Sequence, residues 1–157
     1  RTAQAIYADF AAQGLVYGPS HHLLRELRCA QDFGVARIDP QPASDEHAGD
    51  YMLPPGVADA ALQAAVAFLA AESGQPQVRA AIPFTLATAD IRCVPVGPIH
   101  AYVRRAQDGS GTVDVDLLDE RDGGRVCAAF RGLGLHAVGH AERTEAEPQS
   151  QPATVAV

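Results

Sequence analysis

Between Gly56 and Glu72, the residues Val57, Ala61, Ala64, Ala65, Phe68 and Leu69 form an apolar stripe at helical spacing. The rest of the stretch is dominated by alanine, the best helix former. Pro54 and Pro55 stand just ahead of it and Gly74 just beyond, the asymmetry expected of a helix's two ends. After Gly74 the apolar period changes from helical to alternating. Ala81 to Val94, Ile99 to Ala106, Thr112 to Asp119 and Arg125 to Val138 each read as strands. Asp108-Gly109-Ser110-Gly111 and Asp122-Gly123-Gly124 supply the hairpin turns between the last three. A single long helix followed by an antiparallel meander leaves few ways to build a core.

The part ahead of this helix adds less. Ala3, Ile6, Tyr7 and Phe10 are spaced for one face of a helix over Thr2 to Gln13, with Gly14 as its stop. Gly18-Pro19 punctuates a turn. Leu23 to Ile38 reads as one extended segment with a bulge near Asp32 to Gly34, and Pro40 to Asp50 as a loop. Residues 139–157 are polar and aperiodic, the composition of a flexible tail, which leaves 1–138 as the folded domain. The expected class is α+β: an antiparallel sheet wrapped around one long helix, the hot-dog arrangement. A lone unit of this kind leaves a sheet edge uncovered, so pairing with a second unit is expected.

Composition narrows the chemistry. The 157 residues suit one domain and include no Lys, so Schiff-base catalysis and a P-loop lysine are excluded from this chain. A net charge of −7 argues against a nucleic-acid partner. No apolar run reaches the roughly 18 residues of a membrane span. Cys29, Cys93 and Cys127 are odd in number and widely spaced, which fits small buried apolar residues better than a disulfide framework or zinc site. His21 and His22 are adjacent, without the i, i+4 spacing of a helical metal pair, and no metal is expected. The opening Arg-Thr-Ala, without Met or signal peptide, suggests a segment of a longer, cytosolic polypeptide.

Two stretches carry chemical interest: Tyr17-Gly18-Pro19-Ser20-His21, and Pro54 to Gln63 with Asp59 and Gln63 four residues apart. That spacing puts both side chains on one helix face, a turn apart. Read alone, Asp59 complements the helix dipole in the first turn, and Tyr17 packs beside a Gly-Pro turn. The ordered set of Tyr-Gly-Pro, Asp-x-x-x-Gln on an Ala-rich helix, and Ile82-Pro83-Phe84 resembles the C-terminal of the two hot-dog halves of modular polyketide synthase dehydratase domains. The meander through Ile99–Arg104, Val113–Leu117 and Gly124–Leu133 is similar as well, so the resemblance spans about residues 3 to 138.

The resemblance implies a domain acting on β-hydroxyacyl or enoyl thioesters, by dehydration or, in a diverged form, by conjugate addition or cyclisation. Asp59 would handle the departing β-hydroxyl, Gln63 would orient it, and Tyr17 would donate a hydrogen bond. Pro19, His21 and Val57 would line the substrate path. No directly bound cofactor is implied; the substrate would arrive on the phosphopantetheine of an acyl carrier protein, and neighbouring synthase domains would be the other partners. Arg104-Arg105 could contact that arm or simply be solvated. Two positions depart from the family pattern: Pro54 stands where its His precedes Pro, and His21 where it has Phe. None of the six histidines stands in the H-x-x-x-G-x-x-x-x-P pattern of the other half, whose histidine removes the α-proton. A non-catalytic docking unit and a free-standing homodimeric thioesterase or hydratase are the competing readings.

Overall fold

The structure, a computed structural model, describes residues 1–40, 51–73 and 80–138. Helix α1 spans Ala3–Ala12, followed by a 3-10 turn at Pro19–His21 and strands β1 (Leu24–Cys29) and β2 (Phe33–Ile38). The central helix α2 spans Pro55–Ser73. Strands β3 (Ala80–Thr85), β4 (Thr88–Ile91), β5 (Ile99–Arg105), β6 (Val113–Asp119) and β7 (Arg125–Val138) complete the chain. The sheet is antiparallel throughout, in the order β1-β2-β5-β6-β7-β3, with β4 also against β7. It curls around α2, the hot-dog fold expected from the sequence. Among the described residues no helix is long and apolar enough to cross a membrane.

Alternation along the strands decides which face closes on the helix. Ile99, Ala101 and Val103 of β5 and Val113, Val115 and Leu117 of β6 are fully buried, while the residues between them are partly open. Against this concave face lie Val57, Ala60, Ala61, Ala64, Ala65 and Phe68 of α2, all without accessible surface. Small alanines let the helix sit deep, and Phe68 fills the space that remains. Gly34 of β2 is buried where this ring passes: a Cβ there would stand 2.9 Å from Phe68 Cδ2.

Two expectations require correction. Leu23 to Ile38 is a hairpin of β1 and β2 rather than one bulged strand, closed through Ala30 N–H to the Phe33 carbonyl at 2.8 Å. Pairing the two halves lets Leu24 and Leu27 share the buried face with Ala36 and Ile38. The stretch 81–94 divides into β3 and β4, both running along β7. The break faces Gly132 (φ +63°), where a Cβ would come within 2.8 Å of the Ala87 Cβ, so β7 itself interrupts the pairing. The loop expected at 40–50 and the tail from 139 lie outside the described residues, apart from Pro40. Of the cysteines, Cys127 is buried and Cys93 half-buried; Cys29 is exposed, contrary to expectation, because it ends β1 on its solvent side.

Helix α1 closes one sheet edge. Thr2 caps it by accepting from Ala5 N–H, and Gly14 (φ +83°) ends it in a Schellman arrangement, with Leu15 N–H on the Phe10 carbonyl and Gly14 N–H on that of Ala11. The amino terminus bonds the Leu27 carbonyl at 2.7 Å, and Leu27 N–H returns a bond to the Arg1 carbonyl, so the chain start covers β1. Ile6 and Phe10 are thereby buried. No such cover lies over the opposite edge among the described residues. There Phe84 (72% exposed), Leu86, Ile91, Val94 and Val96 (66% exposed) face outward.

Candidate active site

The first turn of α2 is locked to the turn ahead of β1. Val57 and Ala58 N–H groups bond the Pro54 carbonyl, starting the helix at Pro55, where a missing N–H costs nothing. Gly56 allows close approach: a Cβ there would lie 2.9 Å from the Ser20 carbonyl oxygen and 3.1 Å from Leu23 Cδ1. This contact brings residues 17–22 over the helix start; because the helix begins at Pro55, Asp59 falls in its second turn and not in the first as expected, with Gln63 one turn further on.

Gln63 is 1% exposed, so its amide must find partners inside the protein. Its Nε2 donates to Asp59 Oδ2 at 2.7 Å and to the His21 carbonyl at 3.1 Å. Its Oε1 accepts from the Tyr7 hydroxyl at 2.9 Å. The reversed amide would set Oε1 against a carboxylate and a carbonyl, so this network fixes the orientation. The Tyr7 hydroxyl also lies 3.1 Å from the His21 carbonyl and accepts from Leu24 N–H at 3.2 Å. Asp59 is half-buried; among the described residues no hydrogen bond reaches its Oδ1.

Aromatic rings surround these polar groups. Tyr7 stacks on His22 with centroids 4.1 Å apart, and meets Tyr17 edge-on at 6.0 Å; Phe10 meets Tyr17 at 5.4 Å. Burial, and then the nearby Asp59 charge, push the Tyr17 phenol above the ordinary tyrosine value. Burial does the same to Tyr7, against the opposing effect of Leu24 N–H. Both hydroxyls therefore stay protonated at neutral pH and can donate.

Of the residues singled out in the sequence, Asp59, Gln63 and the His21 main chain come together directly, and Tyr17 lies within electrostatic reach of Asp59. The His21 imidazole is half-buried, with Nδ1 3.0 Å from Ser20 Oγ. Pro19 is exposed on the same turn, and Val57 is fully buried in the core beneath it. Arg104 and Arg105 are not free solvated cations. Arg104 Nη1 lies 2.6 Å from Asp116 Oδ2 on the outer face of the sheet, and Arg105 pairs with Glu72 of α2 at 2.8 Å. Tyr7 was missed as a polar residue of the site, since its position on the apolar stripe of α1 gives only a packing signal. Asp119, the buried acid among the described residues, accepts from the N–H groups of Val96 and Arg121, which accounts for it as a loop anchor.

Chemically, the arrangement holds a carboxyl by one oxygen, with two protonated phenols nearby, in the first turns of an apolar helix. It suits proton delivery to a departing oxygen. Among the described residues no group of three His, Cys, Asp or Glu side chains could hold a metal ion.

Comparison with known proteins gives concordant matches. The family model described as the polyketide synthase dehydratase N-terminal domain matches residues 1–145. The polyketide synthase ThaG of Burkholderia thailandensis is 32% identical over 136 residues, 82% of this chain but 2% of that protein. A solved trans-AT polyketide synthase dehydratase domain from Brevibacillus brevis superposes with a TM-score of 0.76 at 27% identity, over 88% of this chain and 48% of that one. The dehydratase domain of the CurK module of the curacin polyketide synthase has the same fold, with a TM-score of 0.75 at 22% identity, over 89% of this chain and 48% of that one. The chain thus spans about half the length of the solved dehydratase domains.

Proposed function

The chain belongs to the polyketide synthase dehydratase family, and on that premise we propose that it is the aspartate-bearing, C-terminal half of a double hot-dog dehydratase. The single observation that carries this reading is the Asp59 carboxyl held by Gln63 at the start of the hot-dog helix. Coverage of 48% of the solved dehydratase chains supports a half rather than a whole domain. The apolar side chains of Phe84, Leu86, Ile91, Val94 and Val96, along the edge that none of the described residues covers, support a second hot-dog half seated there.

In this reading the substrate is a β-hydroxyacyl thioester on the phosphopantetheine arm of an acyl carrier protein, within a cytosolic multidomain synthase. A histidine of the other half removes the α-proton, and that C–H electron pair becomes the new C=C bond. The β-carbon–oxygen bond breaks as the Asp59 carboxyl gives a proton to the departing hydroxyl, which leaves as water. Tyr17 donates to the same oxygen, and Pro19 and His21 border the acyl chain, with Val57 supporting the helix start beneath. The histidine ends the step protonated and Asp59 deprotonated; a proton passed back through solvent resets both, so no cofactor of the domain's own is required.

The test joins this chain to the histidine-bearing half and follows water loss from a carrier-bound β-hydroxyacyl thioester by mass spectrometry. Asp59→Asn should lower turnover by about a hundredfold to ten-thousandfold, the usual contribution of a positioned general acid. Parental turnover by that variant would refute the assignment.

A further inference from the structure

We propose that Tyr7 is a positioning residue for the Asp59 carboxyl, acting through Gln63; this deepens the proposed dehydratase reading and rests on it. Tyr7 Oη has one proton and two acceptors within reach, Gln63 Oε1 at 2.9 Å and the His21 carbonyl at 3.1 Å. Leu24 N–H already takes one acceptor site of that oxygen at 3.2 Å, and a reversed Gln63 amide would set Oε1 against Asp59 Oδ2 and the His21 carbonyl. The donated proton therefore selects one orientation of that amide. In that orientation Nε2 points at Asp59 Oδ2, 2.7 Å away.

The ring is held as firmly as the hydroxyl. It stacks on His22 at 4.1 Å and meets Phe10 and Tyr17 edge-on at 6.1 and 6.0 Å. Helix α1 itself is anchored by buried Ile6 and Phe10. The seating of α1 is thus transmitted through one phenol and one amide to one carboxylate oxygen. Low polarity around such a chain strengthens each bond and makes its loss felt at the next.

The experiment uses the complete dehydratase and a double-mutant cycle. Tyr7→Phe keeps the ring and removes the donor. It should lower kcat about tenfold with KM changed by less than about twofold, the size expected for one oriented hydrogen bond. Gln63→Ala should lower kcat by at least as much, and adding Tyr7→Phe to it should cost nothing more, because the path is already cut. Additive losses, or parental kcat in Tyr7→Phe, would overturn the proposal. The Gln63 side-chain amide protons provide a readout that needs no turnover. In Tyr7→Phe their resonances should shift and exchange faster with solvent, and unchanged signals would overturn the proposal equally. Asp59→Asn is run beside these: if it alone keeps parental turnover, the dehydratase role of Asp59 has failed, whatever the amide signals report about Tyr7.

Discussion

Replacing Gly34 by Ala adds a single methyl group where β2 passes under the central helix. That methyl would stand 2.9 Å from Phe68 Cδ2, 3.5 Å from Phe68 Cγ and 3.3 Å from Leu27 Cδ1. Carbon atoms pack best at about 3.5–4.0 Å, so the ring must retreat by roughly 0.6–1 Å. Phe68 is fully buried, and a protein interior has no slack of that size. Overpacking of this kind costs about 1–3 kcal/mol, against a gain of about 0.5–1 kcal/mol from removing a strand glycine. The expected net loss is about 1 kcal/mol, or roughly 4 °C in melting temperature for a domain of this size. Urea unfolding of parent and variant measures it, with equal m-values showing that the same two states are compared. Gly34→Ala combined with Phe68→Leu should be less damaging than the sum of the single changes, by about 0.5 kcal/mol or more, because the smaller side chain takes up the methyl. Stability of Gly34→Ala equal to or above the parent would refute the contact as the determinant of helix depth.

Two other outcomes follow from the site and the outer face. Tyr17→Phe should lower kcat/KM about tenfold or more by removing a donor. Its melting temperature should stay within about 2 °C of the parent, a shift below about 1 kcal/mol, because the ring keeps its edge contacts with Tyr7 and Phe10. Steady-state kinetics and a thermal melt check both. Asp116 is opposed by partial burial, yet hydrogen bonds and charge from Arg104 and Arg131 hold its carboxyl below the usual aspartate value. A lowered folded-state value means that its contribution is fully present above about pH 5 and is lost as pH falls below about 4 through the folded value. Asp116→Asn should therefore melt lower than the parent at pH 7, with the difference shrinking at pH 3; a constant difference would refute the linkage.

The central helix and the closing meander were legible because their signals are local. The Ala-rich stripe needs only its own spacing, and the two Gly-containing turns need only their positive φ values, at Gly109, Gly111, Gly123 and Gly124. The β1–β2 hairpin was not legible, since Asp32 is the only turn-favouring residue in Ala30-Gln31-Asp32. Nor was the break between β3 and β4, which is set by Gly132 on a strand far along the chain. The pairing of Asp59 with Gln63 follows from helical period alone. Tyr7 lies 56 residues from Gln63, and only the docking of α1 against β1 and α2 brings its hydroxyl there.

The carbonyl of His21, which accepts from Gln63 Nε2, belongs to the backbone. Any residue that keeps the 3-10 turn keeps that acceptor. A change of side chain at position 21 therefore leaves the grip on Gln63 intact. The side chain there is left to answer to the shape of whatever molecule comes near, while the hydrogen bonding behind it is held by the main chain.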